Sequence, residues 1–275
     1  MILSKKNTLN TIEKLPLWHE IIRYWELLSV LVPQSLNTRY RGSFLGVYWS
    51  LLNPIIMTIL YTVIFGATFA SYFGNSIINY MFAAFTGLLV INFYNSSTTQ
   101  ALSSIVVNGD LLNKIKLPLP VFPLSMIAAN VFQFVVGSLP LLIIVTLIKT
   151  HNIFFAFLLL FPFIALVLVC TGIGLFLSAL FVFFRDLGYF YEITTFIVWI
   201  TSPVFYPAEI VPQRVQPFLY LNPLVPIIES IRQISLEGTF PEISHLMKGF
   251  FSGIIILTLG WLFFRRVQSS FMDLL

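Results

Sequence analysis

The sequence predicts an all-α, polytopic membrane protein with six transmembrane helices. Hydrophobic residues make up 58% of the chain and charged residues only 9%, against roughly 45–50% and 25% in soluble domains. No Asp, Glu, Lys or Arg occurs between Phe44 and Gly109. Several apolar stretches also reach the roughly 20 residues that a helix needs to cross a bilayer core about 30 Å thick.

Residues 1–43 are predicted to form a cytoplasmic amino-terminal segment that contains one amphipathic helix. Pro16 suits the first turn of this helix and Pro33 suits its end. Its apolar residues recur at helical spacing: Trp18, Ile21, Ile22, Trp25 and Leu28. Tryptophans on the apolar side favour a helix that lies in the membrane interface. The same stripe is also compatible with packing on a separate soluble subunit.

Residues 44–264 are predicted to hold the six spans, and residues 265–275 a cytoplasmic tail. The spans are placed at about Phe44–Ala70, Tyr80–Val106, Val121–Ile148, Ile153–Phe183, Leu187–Tyr206 and Leu246–Phe264. Eleven of the fifteen lysines and arginines then fall on the side of the two termini, and four on or near the other. Because lysine and arginine accumulate on the cytoplasmic side, both termini are predicted to be cytoplasmic.

The segment at about 203–241 is unusual because it holds seven of the fifteen prolines. Its apolar pieces, Phe218–Leu221 and Val225–Ile231, are too short to cross a membrane. Irregular backbone at membrane depth is stable only where protein or a water-filled cavity satisfies its amides. We therefore expect two short re-entrant helices arranged as an outer hairpin; an ordinary extracytoplasmic loop is the alternative.

The connection at about 108–118 is predicted to be a short cytoplasmic coupling helix. Asp110 can cap such a helix. Apolar residues lie on one side and lysines elsewhere: Leu111, Leu112 and Ile115, then Lys114 and Lys116. A rigid amphipathic helix between two spans suits docking onto a cytosolic partner. A positively charged turn that only fixes topology is the alternative.

The sequence lacks the patterns of several chemistries. There is no phosphate-binding G-x-x-x-x-G-K-[ST] loop, no nucleophile motif and no metal-ligand spacing among the three histidines. We predict no catalytic residue, metal site or cofactor in this chain. The net charge of +4 reflects cations at one membrane face, so no nucleic-acid partner is expected. The alternative is a membrane enzyme that acts on lipid-linked sugars. It would need a cluster of carboxylates or metal ligands at a membrane face, and Asp186 and Glu192 meet this requirement only weakly.

Polar and aromatic side chains share faces within three spans. The candidates for a transport pathway are Tyr61 and Phe65 in span one, Asn92, Ser96 and Thr99 in span two, and Tyr189, Glu192, Phe196 and Trp199 in span five. A polar stripe facing lipid is costly, so it faces a partner helix or a pathway. Two explanations are open for the stripe: hydrogen bonds between helices, or transient contacts to the hydroxyls of a sugar. The aromatic faces suit packing in lipid as well as stacking on sugar rings.

Residues 39–54, with the sequence RYRGSFLGVYWSLLNP, resemble the signature of type-2 ABC exporter permeases that move cell-surface polysaccharides. The resemblance is to O-antigen export subunits (Wzm-type) in particular, with teichoic acid exporters as relatives. Three further stretches match the pattern of this family and occur in the same order along the chain. They are RD at 185–186, SPVFYP at 202–207 and NPL at 222–224.

This resemblance implies a function in lipopolysaccharide biosynthesis at the bacterial inner membrane. Two permeases would pair with two copies of a cytosolic ATPase, which binds ATP and Mg²⁺, and would export a glycan linked to undecaprenyl diphosphate. The loop at Leu45 and Gly46 corresponds to the family's entry region, where Arg39 and Arg41 would contact the diphosphate. Arginines before a span also serve topology and lipid headgroups alone.

The resemblance also implies which residues face the ATPase. They are Trp18 of the interface helix, the coupling residues Asp110, Leu111, Leu112, Lys114, Ile115 and Lys116, and the pair Arg185 and Asp186. For Arg185 and Asp186, an ion pair within the chain or toward the ATPase is expected rather than contact with substrate. Within transport, a permease for teichoic acid or a small hydrophobic drug is the alternative.

Overall fold

The computed structural model of the protein describes residues 17–114 and 117–273. These residues form helices and no strand, which confirms the all-α prediction. The α-helices are α1 Leu17–Tyr40, α2 Trp49–Phe69, α3 Ile77–Val107, α4 Gly109–Lys114, α5 Val121–Gln133, α6 Leu139–Thr150, α7 Ile153–Leu158, α8 Leu160–Phe183, α9 Leu187–Thr201, α10 Gln216–Leu219, α11 Leu224–Arg232 and α12 Ile243–Val267.

Five helical segments of the described chain are long and apolar enough to cross a membrane. They are Gly46–Phe73, Ile77–Val107, Val121–Thr150, Ile153–Phe183 and Ile243–Phe271. Each coincides with a predicted span, so the chain is a multi-pass membrane protein. The remaining predicted span, Leu187–Tyr206, contains the fifteen-residue helix α9. This helix ends at Thr201 because Ser202 precedes Pro203 and adopts an extended conformation, as residues before proline do.

Helices α3 and α8 occupy the centre of the bundle. α8 packs against α12 in the most extensive helix pair, and it also contacts α3 and α5. The pairing of α8 with α12 is close because glycines face each other, and a Cβ added to Gly260 would lie 2.1 Å from the carbonyl oxygen of Gly172. Small residues allow the two backbones to approach this closely. The resulting van der Waals packing stabilises the helix pair in lipid, where no hydrophobic effect drives helices together.

The predicted end of the first helix at Pro33 is wrong, because α1 continues through this proline to Tyr40. Its last turns are held by packing on α5 and by hydrogen bonds from Arg39. The inward face carries Tyr24, Leu27, Leu28 and Leu31, which pack against a buried cluster at the end of the bundle that also contains α4. Trp25 of the predicted apolar stripe points outward and is 75% exposed.

The proline-rich segment contains two short helices, α10 and α11, close to the two apolar pieces predicted there. α11 is buried along most of its length and packs against α12, α3 and α8. It is followed by a π-helical turn, Gln233–Glu237. This segment lies at the end of the bundle opposite α1 and α4, and we call it the α11 end.

The short helix predicted at 108–118 is present as α4, which ends at Lys114 within the described residues. Its capping differs from the prediction. The carbonyl oxygen of Asn108 accepts the first backbone hydrogen bonds, from Leu111 and Leu112, so Asp110 lies in the first turn and not at the cap. A carboxylate there still complements the positive end of the helix dipole.

Candidate functional site

A cavity of about 260 Å³ lies between α2, α3 and α5. Its walls are the first turns of α2, the middle of α3 and the end of α5. Two of the predicted pathway residues, Asn92 and Ser96, line it. The third residue of the predicted stripe, Thr99, is exposed and does not line the cavity. The polar stripe of α3 is therefore divided between a defined cavity and an open surface.

The backbone beside the cavity departs from α-helical geometry. A π-helical turn, Phe134–Ser138, joins α5 to α6. Such single turns often mark functional sites, because the extra residue redirects the side chains around it. Gly137 of this turn lies against α2, and a Cβ at this position would be only 2.8 Å from Ser50 Oγ. Glycine thus permits the close approach that forms one wall of the cavity.

Arg39 joins three helices beside the cavity. Its Nη1 donates hydrogen bonds to Gln133 Oε1 at 2.6 Å and to Asn130 Oδ1 at 3.3 Å. Its Nη2 donates to Gln100 Oε1, which also accepts from Asn130 Nδ2 at 2.8 Å. No carboxylate neutralises this guanidinium among the described residues. Arg39 therefore holds α1, α3 and α5 together through neutral amides, and these two nitrogens are not turned toward a headgroup.

Arg41, also predicted to contact headgroups, is exposed on the same side as the loop that precedes α2. That loop includes Leu45, which is partly exposed, and Gly46, which has a φ of +53°. Glycine is the residue that adopts this left-handed conformation without strain. The backbone N–H of Gly46 donates to Ser43 Oγ at 3.1 Å. The loop is thus a defined turn, and the side chain of Arg41 close before it in the chain is exposed.

Four of the predicted pathway residues belong to one aromatic cluster, which we define as Tyr61, Phe65, Phe196, Trp199 and Phe205. The rings of Tyr61 and Phe205 stack with centroids 3.6 Å apart, and those of Trp199 and Phe205 are 5.4 Å apart. The pairs Tyr61–Phe65 and Phe196–Trp199 are also stacked. The cluster joins α2 to α9 and to the loop after α9. Sequence reasoning missed Phe205 as its central member, since it follows Pro203 outside any helix.

The remaining predicted residues of α9, Tyr189 and Glu192, stand apart from this cluster. Both are exposed, Tyr189 by 75%. The residue that fixes α9 is Tyr191, which sequence reasoning did not single out. It is buried, and its hydroxyl donates to Thr98 Oγ1 of α3 at 2.5 Å. The sequence pattern could not predict this hydrogen bond, because Tyr191 and Thr98 are 93 positions apart.

Comparison with known proteins identifies the family. The family model described as ABC-2 type transporter matches residues 26–236, which include the cavity and the aromatic cluster. The chain belongs to the ABC-2 type transporter family. This confirms the resemblance found at residues 39–54.

Relatives of this ABC-2 transporter chain cover between 75% and 92% of its length. The O-antigen export system permease protein RfbA of Myxococcus xanthus is 30% identical over 262 residues, covering 92% of this chain and 97% of that protein. A protein of the same name from Klebsiella pneumoniae is 27% identical over 253 residues, or 91% and 95% of the two chains. The capsule polysaccharide export inner-membrane protein CtrC of Neisseria meningitidis serogroup A is 22% identical over 211 residues, or 75% and 77%.

The α4 end of this ABC-2 transporter carries the residues predicted to face an ATPase. Leu112 is buried with 4% exposure and packs into the cluster beneath α4, so it positions the helix. Asp110 and Lys114 are exposed, and Leu111 is partly exposed. Ile115 and Lys116, and the side chain of Trp18, lie outside the described residues. Leu111 packs against the same cluster as Leu112, so the described outward surface of α4 is formed by Asp110 and Lys114, with only part of Leu111 accessible.

Arg185 and Asp186 are exposed in the connection between α8 and α9. The expected ion pair within the chain is not formed, since none of the described acids lies within salt-bridge distance of Arg185. The guanidinium instead lies over the ring of Phe181, 6.0 Å from its centroid. Both charged groups are thus available to a partner on this side of the bundle.

At the α11 end, Arg232 is a buried cation, and it is one of the four lysines and arginines that the charge count placed on or near the side away from the termini. Its Nε donates to the carbonyl oxygen of Ala83 at 3.1 Å and its Nη2 to that of Val204 at 2.8 Å. Burial lowers the pKa of Arg232 to about 10, which leaves it charged at neutral pH. Nearby, Glu229 lies 2.9 Å from Nδ1 of His245 on α12, and burial raises the pKa of this carboxyl group.

Proposed function

We propose that this chain is the permease subunit of an ATP-driven exporter that moves a cell-surface polysaccharide across the bacterial inner membrane. The observation that carries the proposal is similarity, over more than nine-tenths of the chain, to permeases named for O-antigen export. The chain also supplies neutral polar groups and stacked aromatic rings within its apolar helices, and such groups offer many weak contacts to a polar chain.

The proposal includes six spans with both termini in the cytoplasm. α9 rises about 1.5 Å per residue, or about 22 Å over its fifteen residues. After α9, Ser202 is extended, but the backbone bends over 204–206, where the Val204 N–H donates to the carbonyl oxygen of Ser202. The helix alone therefore falls short of a core of about 30 Å, and the proposed span depends on where its two ends contact α3. The side chains support this path, because Tyr191 packs near the α4 end of α3, while Phe205 accepts a hydrogen bond from Tyr80 near its start.

The proposal also includes a homodimer with two copies of a separate ATPase that binds ATP and Mg²⁺, since no phosphate-binding loop occurs in this sequence. The outward residues of α4, with Arg185 and Asp186, form the surface that the ATPase contacts. The substrate is a glycan on a lipid diphosphate carrier. Arg41 is the cation beside the loop at Gly46 that meets its headgroup, because Arg39 is occupied by amides.

Deletion of the gene in its own host, followed by complementation, tests this function. We expect the deletion strain to lose its surface polysaccharide and to accumulate the lipid-linked glycan in the cytoplasm, with full recovery on complementation. A strain that retains a normal surface polysaccharide refutes the proposal. A second measurement, copurification of an ATPase with the tagged chain, tests the partner separately.

A further inference from the structure

The cavity between α2, α3 and α5 has the chemistry of a site for a neutral, hydroxyl-rich ligand. Seven of its twelve lining residues carry polar side chains, and none is charged. A phosphate would find no cation there, because Arg39 lies behind the amides of Asn130 and Gln133 and donates to them. An apolar ligand would leave these polar groups without partners, which is costly in a water-poor environment.

Several of these polar groups have unused hydrogen-bonding capacity. The side chains of Asn53, Asn92, Ser96 and Ser138 form no hydrogen bond within residues 17–114 and 117–273. By contrast, Asn130, Gln133 and Ser50 are already paired. The free groups thus come from three different helices and face one space. Amides and hydroxyls that converge in this way can donate to and accept from neighbouring hydroxyls of one ligand.

Size and shape favour a single ring. A volume of about 260 Å³ exceeds by several-fold the roughly 30 Å³ that one water occupies in the liquid. It falls just below the roughly 300 Å³ at which cavities begin to hold drug-sized molecules. Phe93 and Phe134 provide apolar walls, and Trp49, which is 52% exposed, stands at the open side. Aromatic walls with convergent amides suit a pyranose, which has apolar C–H faces and a rim of hydroxyls.

We infer that this cavity is a binding subsite for one neutral sugar ring of the exported glycan, with Asn92 and Ser96 as hydrogen-bonding residues. The inference rests on the proposed function and deepens it. Arg39 acts as a positioning residue, because it fixes the amides of Asn130 and Gln133 that form the far wall. The subsite lies inside one chain and next to the loop at Gly46, so the sugar would bind close to where its carrier lipid meets Arg41.

The test measures binding directly, with the full chain in lipid nanodiscs. The probe is a mixture of oligosaccharides released by mild acid from the surface polysaccharide of the host strain, observed by saturation-transfer NMR. We expect transfer to the sugar ring protons. Asn92→Leu keeps the branched shape of the side chain but replaces its amide by methyl groups, which removes the hydrogen bonds, so we expect the apparent Kd to rise by about fivefold or more. Ser96→Val should act in the same direction, and serves if Asn92→Leu does not fold.

Asn95→Leu is the matched control. It makes the same substitution on the same helix, at a residue that does not line the cavity and whose Oδ1 has no hydrogen-bond partner. We expect its binding to equal that of the wild type. No saturation transfer to the wild-type protein, or an unchanged Kd in both cavity variants, overturns the subsite.

The deletion strain separates this outcome from failure of the proposed function. If deletion abolishes the surface polysaccharide while the cavity variants bind normally, only the subsite is wrong. If deletion leaves the surface polysaccharide intact, the exporter assignment is wrong, and the subsite falls with it.

Discussion

Replacing Gly260 by alanine should disrupt the contact between α8 and α12 on which the bundle depends. The added Cβ would lie 2.1 Å from the carbonyl oxygen of Gly172, whereas ordinary contacts begin near 3.4 Å. The helices must therefore separate by about 1.3 Å at this point. A gap of about 0.5–1 Å already forfeits a quarter to a half of a dispersion contact, and overpacking typically costs about 1–3 kcal/mol. We expect a loss of stability at the upper end of that range.

Two other glycines of α12 make this a graded experiment, because each substitution adds the same methyl group to the same helix. At Gly253 the new Cβ would lie 3.1 Å from the carbonyl oxygen of Ala165, and at Gly249 it would lie 3.2 Å from a side-chain atom of Ile227, which can move. In thermal unfolding in detergent at a fixed heating rate, Gly249→Ala should have the highest apparent midpoint, Gly253→Ala an intermediate one and Gly260→Ala the lowest. Equal midpoints for Gly260→Ala and Gly249→Ala would show that backbone contact between these helices does not limit stability.

Three further predictions concern function and the α11 end. Leu111→Asp should abolish export without preventing membrane insertion, because a charge replaces an apolar side chain that packs α4 onto the end of the bundle; surface glycan at the normal level would show that α4 does not couple the ATPase to export. Trp199→Ala should slow glycan export, whereas Tyr189→Ala should not, since only Trp199 belongs to the aromatic cluster; equal export rates would assign Trp199 to packing alone. Because burial raises the pKa of Glu229, the folded state holds this proton more tightly than the unfolded state does. Stability should then fall as pH rises from the ordinary glutamate value of about 4.3 through the raised value, and Glu229→Gln should flatten this dependence in thermal unfolding.

The membrane-spanning helices were predictable because their signal is local. Length and apolar composition placed five spans close to their helical bounds, and no distant residue was needed for that inference. The end of α1 was not predictable in this way. Pro33 is a local stop signal, but the part of α1 beyond it is docked on α5 by hydrogen bonds that Arg39 donates to Asn130 and Gln133, more than 90 positions away along the chain.

The candidate site shows the same limit at the level of single side chains. The periodicity of α3 placed Asn92 and Ser96 on one polar face, because a polar stripe in an apolar span is visible from sequence, and both residues line the cavity. It did not show that Thr99 lies outside the cavity on an exposed surface, since that depends on how α2 and α5 pack beside α3. Arg39 was assigned to headgroups for a sound local reason, its position just before a span. In the structure its guanidinium donates instead to three side-chain amides, which local sequence could not show.

The two buried or half-buried arginines are stabilised by the same device at opposite ends of the bundle. Arg39 is held by side-chain amides and Arg232 by the backbone carbonyls of Ala83 and Val204. In both cases neutral oxygens orient the guanidinium through hydrogen bonds, and no carboxylate is needed at hydrogen-bond distance. The charges therefore join helices, while the cavity between them is lined by uncharged groups alone. If the cavity binds a sugar ring as proposed, a lining of neutral amides and hydroxyls supplies weak contacts from which a moving polymer can dissociate, whereas a charged lining would hold the chain in place.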